Sequence, residues 1–159
     1  MAFGENALGA NTTGSSNIAI GLNSLDAADT EGNNLAIGRA ALGGSVAGGE
    51  YNVAIGNYSL DALTTADYVT AVGYEAGSAN TTGYSNVFIG ADAGKANTEG
   101  FNNTFVGRGA GQSNTDADSN TFIGDVAGGA VTTGSNNLMI GHLAGDAFDT
   151  ESNNLGIGK

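Results

Sequence analysis

A short apolar run closed by glycine recurs ten times in this chain, at Gly4, Gly21, Gly38, Gly56, Gly73, Gly90, Gly107, Gly124, Gly141 and Gly158. Every interval is 17 residues except that from Gly38 to Gly56, which is 18. A unit this small cannot bury an apolar face by itself, so a fixed period of this length requires each unit to stack on its neighbours. The 159 residues therefore read as one repeat domain, 1–159, rather than as an ordinary globule.

With the recurring glycine as position 0, position −1 is always large and apolar, as in Ile20, Ile37, Ile55, Val72 and Ile89. Position −3 is mostly β-branched, as in Ile18, Val53, Thr70 and Thr104, which favours extended chain. Position +3 is always Ala or Ser, as a narrow interior requires. Polar runs such as Asn11-Thr12-Thr13-Gly14 and Asn80-Thr81-Thr82-Gly83 supply turns. The load of Gly, Asn and Thr excludes helix. These columns predict an all-β, parallel β-solenoid of ten coils. Stacked at about 4.8 Å per coil, they would form a rod on the order of 50 Å long. The extra residue before Gly56 falls in residues 43–49, where four glycines can absorb a bulge.

Position −4 is Asn at Asn17, Asn34, Asn52, Asn86, Asn103, Asn120, Asn137 and Asn154, broken only by Val69. Stacked amides can bond one another and turn backbone along a solenoid axis, so this column is expected to be a structural ladder.

Two further columns change together. Position −2 runs Ala19, Ala36, Ala54, Ala71 and then Phe88, Phe105, Phe122, Met139, while position +4 runs Leu8, Leu25, Leu42, Leu60 and then Gly77, Gly94, Gly111, Gly128, Gly145. The switch near residues 71–77 divides Ala/Leu-type coils (1–72) from Phe/Gly-type coils (73–159). Such exchange is what close packing demands of positions sharing one volume, so the columns should touch. With −1, −3 and +3 filling the coil, −2 and +4 lie outside it. Leu8, Leu25, Leu42, Leu60, Phe88, Phe105, Phe122 and Met139 then form an oligomer interface, because soluble monomers avoid so large an apolar stripe. The reverse arrangement puts −2 and +4 inside one chain and leaves the Ile/Val column facing water.

Sixteen acidic residues against four basic ones give a net charge of −12, which repels nucleic acid and anionic lipid. No apolar stretch is long enough to insert in a membrane, and no signal peptide is expected from the Met1-Ala2-Phe3-Gly4 start. Cysteine is absent, and with it disulfides and thiolate metal sites.

Segments such as Asn17-Ile18-Ala19-Ile20-Gly21 and Asn52-Val53-Ala54-Ile55-Gly56 resemble the head repeats of trimeric autotransporter adhesins. Asn103-Thr104-Phe105-Val106-Gly107 and Asn120-Thr121-Phe122-Ile123-Gly124 resemble repeats of phage tail-fibre-like and bacterial surface proteins. The resemblance implies a left-handed β-roll, a homotrimer and a location on a virion or cell surface.

Sites for chemistry are sparse. His142 is the single histidine and reads as a corner residue, and Gly107-Arg108-Gly109-Ala110-Gly111 reads as the repeat's own corner rather than a phosphate loop. Asp26, Asp29 and Glu31, then Asp116, Asp118 and Asp125, then Asp146, Asp149 and Glu151, form a solvated surface open at most to weak calcium. Adjacent threonines, as in Thr12-Thr13 and Thr81-Thr82, lack the alternation of an ice-binding array. No catalytic set and no cofactor site are read. The expected function is a structural segment of a trimeric tail fibre or similar appendage, able to extend into a longer filament. The alternative is a surface adhesin that binds host glycan or protein through Tyr51, Tyr58, Tyr74, Tyr84 and Phe101.

Overall fold

The computed structural model describes residues 1–28, 30–44 and 48–158. Its strands are Ala2–Phe3 (β1), Ile18–Ile20 (β2), Leu35–Ile37 (β3), Val53–Ile55 (β4), Thr70–Val72 (β5), Val87–Ile89 (β6), Thr104–Val106 (β7), Thr121–Ile123 (β8), Leu138–Ile140 (β9) and Leu155–Ile157 (β10). Each pairs in parallel with the next, in one sheet whose order is chain order. Equivalent columns lie opposite one another: Ile20 on Ile37, Ile55 on Val72, Phe88 on Phe105. The fold is an all-β solenoid of about nine turns. The 18-residue interval leaves the register intact, Leu35 pairing with Val53, so its extra residue is taken up between β3 and β4. Residues 45–47 of that segment, like Asp29 of the acidic turns, lie outside the described residues.

The glycine at position 0 ends each strand with φ between 111° and 141°, a region other residues rarely enter. There is also no room for a side chain. A Cβ on Gly90 would stand 2.4 Å from the Gly107 carbonyl oxygen, and one on Gly107 2.2 Å from that of Gly124. Backbone thus packs on backbone down this corner, which explains why the column never varies. Despite its elongation the chain exposes 6601 Å², less than the about 7,200 Å² of a typical monomer of its mass.

The two faces of the sheet are the reverse of the first expectation. Ala19, Ala36, Ala54, Ala71, Phe88, Phe105, Phe122 and Met139 are wholly buried inside the chain, as are Leu25, Leu42 and Leu60, with Leu8 packed against the same core. These residues are core, not an oligomer interface. The −1 and −3 columns instead face outward. The small column at +3 does point inward, from Ser24 and Ala41 through Ala127. A strand of three residues offers the interior only its middle side chain, and the narrow coil has space for that one opposite +4.

The coupling between the two columns is direct contact. A Cβ on Gly94 would lie 2.4 Å from Phe88, on Gly111 2.6 Å from Phe105, on Gly128 2.5 Å from Phe122, and on Gly145 2.7 Å from the Met139 sulfur. At the boundary coil, where Ala71 and Gly77 are both small, Phe88 of the next coil covers Gly77 together with Leu60. Phe105 and Phe122 stack at 4.9 Å between ring centroids, and Phe88 tilts against Phe105 at 5.6 Å.

Polar ladders complete the interior. The Asn103 side chain accepts from the Asn120 N–H (2.9 Å) and donates to the Ala117 carbonyl (2.7 Å), so one amide satisfies a donor and an acceptor of the next coil. Asn17, Asn34, Asn86, Asn120 and Asn137 repeat the pair of bonds, and Asn52 serves Val69 N–H and Ala66 carbonyl. Asn154 ends the column, donating from both backbone and side chain to Asn137 Oδ1. After Val69 interrupts it, a second buried column begins at −10: Asn80 donates to the Gly83 carbonyl and Asn97 to Asn80 Oδ1. A third ladder runs along −9, each threonine hydroxyl of Thr64, Thr81, Thr98, Thr115 and Thr132 donating to the equivalent carbonyl one coil on.

Candidate interaction surfaces

With the predicted interface stripe and the Asn ladder both inside the solenoid, the outer surface is left to other residues. The outward face of the sheet carries Ile20, Ile37, Ile55, Val72, Ile89, Val106, Ile123 and Ile140 in one column and Ile18, Leu35, Val53, Thr70, Val87, Thr104, Thr121 and Leu138 in the next. Neighbours within a column shield one another, so most are half-buried, while Ile18, Ile89, Ile123 and Leu138 remain 38–40% exposed. Three residues wide and ten strands long, this strip measures about 10 Å by 45 Å, on the order of 450 Å² in projection.

The corner after the glycine turns through residues with positive φ at +2 and +4, among them Tyr58, Glu75 and Asp92 at +2. Position +1 carries Arg108, Asp125 and His142 in three successive coils. Arg108 grips Asp125 with two nitrogens, at 2.9 and 3.0 Å, and His142 lies 3.5 Å from the same carboxylate. The Gly107–Gly111 segment is the coil corner, not an anion loop. One step back, Arg39 lies over the Tyr58 ring at 5.5 Å, and Tyr58 meets Tyr74 edge to face at 6.2 Å. Lys95 pairs with Glu75 and with Asp92. Its ammonium, with the Tyr74 hydroxyl second, holds the Glu75 carboxyl below its usual range. Burial pushes the Asp61 carboxyl up, opposed by its own backbone N–H and reinforced by Glu75.

No protein-family model, curated protein or solved structure matches this chain significantly.

The remaining aromatic candidates sit on the opposite corner, where Tyr51 stacks on Tyr68 at 5.2 Å and Tyr84 on Phe101 at 4.9 Å, both nearly parallel. Tyr68 was not singled out by sequence, although it follows Tyr51 by one period. The acidic turns do not converge: among the described residues, no three His, Cys, Asp or Glu side chains are placed to hold a metal ion. The described residues contain no helix long and apolar enough to cross a membrane. The outward Ile/Val face is the reverse arrangement that the sequence offered as its second choice, and parity selects it. Asn at −4 and the covarying residue at −2 share one strand face, and an amide that bonds the next coil's backbone belongs inside.

Proposed function

We propose that this chain is a non-enzymatic structural segment of an extracellular or virion fibre, in which copies associate as a homotrimer and the rod spaces and stiffens a host-contacting tip. The observation carrying this reading is the apolar outward face of the sheet. At about 450 Å² it is the size of the largest apolar patch on a typical monomer, which is often a functional surface, and about half of what one partner gives a standard interface. The strip therefore makes the centre of a contact, with the flanking corners as its rim. Three copies is the number implied by the resemblance to adhesin head and tail-fibre repeats, which the coil architecture supports without identifying either family. Fibre use agrees with the regular stacking, since a solenoid stiffens along its axis without needing a unique site.

Sedimentation equilibrium at micromolar concentration tests the reading. A mass of three times 15.6 kDa is expected. A dimer would keep the face and correct the copy number. A stable monomer would remove the basis for assembly through this surface.

A further inference from the structure

Of the surface aromatics, four are spent on one another. Tyr51 with Tyr68 and Tyr84 with Phe101 lie nearly parallel, at 9° and 3°, so each ring turns one face to its partner and no recess opens between the two rings. Tyr58 and Tyr74 differ. They stand at 87° to each other and, with Asp61, Glu75 and Ser78, line an open recess of about 420 Å³ on the corner of two consecutive coils.

Cations of the chain already occupy both ends of this strip. Arg39 covers Tyr58 from the coil before, and Lys95 from the coil after meets Glu75 and Asp92. Asp61, between them, is reached by no basic side chain among the described residues. The column containing Asp61 continues with Ser78 and then Lys95, so the ammonium that serves the strip one coil on has no counterpart in the recess itself.

We propose that this recess binds a primary alkylammonium group, of the kind carried by a lysine side chain or a free polyamine. An ammonium brings three donors and no acceptor, which suits a lining of carboxylate and hydroxyl oxygens. Its positive charge is attracted to tyrosine rings as well as to Asp61. The alkyl stem can lie along Tyr74, which is 51% exposed. The chain's net charge of −12 draws cations to the surface before any contact is made. A neutral saccharide would use the same ring and oxygens but leave Asp61 without a cation, Glu75 being already paired with Lys95. The site is independent of copy number, because its residues all come from one chain.

The test is a titration of the full chain with pentylammonium chloride, Nα-acetyl-lysine methylamide, spermidine and methyl glucoside, following the backbone amide shifts of Asp61, Tyr74 and Ser78. Saturable shifts with the three amines are expected, weakening about tenfold in Asp61→Asn. Ser78→Lys, which fills the recess from the chain's own backbone, should abolish them while leaving the melting temperature within a few degrees. Tighter binding of the lysine derivative than of spermidine assigns a protein-borne lysine, and the reverse order a free polyamine. The proposal is overturned if the amines shift nothing at tens of millimolar concentration, if Asp61→Asn binds as the parent does, or if methyl glucoside shifts the same amides as strongly.

Discussion

Asn114 is buried, yet both polar atoms of its side chain lack a partner. Its equivalents Asn80 and Asn97 are bonded and are followed three residues on by Gly83 and Gly100. A Cβ on either glycine would lie 2.6 Å from the Oδ1 of its asparagine, and the corresponding residue after Asn114 is Ala117. The methyl displaces the amide from the ladder, and the next residue in the column is Val131, which offers no side-chain donor to the Asn114 Oδ1. An orphaned buried amide costs about 1–3 kcal/mol, so Asn114→Val should raise stability by a similar amount in a urea titration. Asp61 has the opposite sign from most surface carboxylates. Its folded pKa lies above the ordinary 3.8, so its contribution to stability is full below that value and declines as pH rises through the folded pKa. Asp61→Asn should therefore steepen the acid limb of the stability–pH curve, where carboxylates held low such as Glu75 and Glu151 lose their stabilisation, and be neutral or stabilising at pH 7, measured by melting temperature.

Within one coil, the pairing of −2 with +4 decides the core. Phe105→Ala empties a volume that Gly111 cannot fill, and Gly111→Leu drives a side chain into Phe105. Each should cost roughly 2–5 kcal/mol, while the double variant recreates the Ala/Leu coil found at Ala54 and Leu60 and should recover much of the loss. A double-mutant cycle by denaturant unfolding checks this, and additive losses would refute it. The period, the strand positions, the Asn ladder and this covariation were all legible in sequence because each repeats or compensates in sight. The choice of face was not read correctly, since both faces of strands such as Ile18–Ile20 are apolar and hydrophobicity cannot rank them. Parity with Asn17 could. The −10 and −9 ladders were missed for a different reason: Asn and Thr there look like turn residues, and only the stacked geometry shows their side chains bonding between coils.

Across the whole molecule, the outward Ile/Val strip and the acidic charge act against each other. Ile89→Glu places a charge in the centre of the strip and should shift the assembly to monomer by light scattering while leaving the chain folded by circular dichroism, since Ile89 is 39% exposed in the single chain. Repulsion among copies vanishes near the isoelectric point of about 4.1, so lateral association should peak there and recede at pH 7, as turbidity would show.

The invariant glycine corner also sets how this molecule can change in length. Since every ladder repeats once per coil, excising residues 91–107 would join Gly90 to Arg108 with all columns in step, and the rod would lose one graduation of about 4.8 Å. Excising sixteen residues there would leave an 18-residue interval, which the coil between Gly38 and Gly56 absorbs with its register intact, whereas excising eighteen would leave an interval of 16, shorter than any in the chain. The chain behaves as a ruler marked in whole coils, one that duplication or loss of a single segment can recalibrate and whose marks stay in step even where one coil is a residue longer.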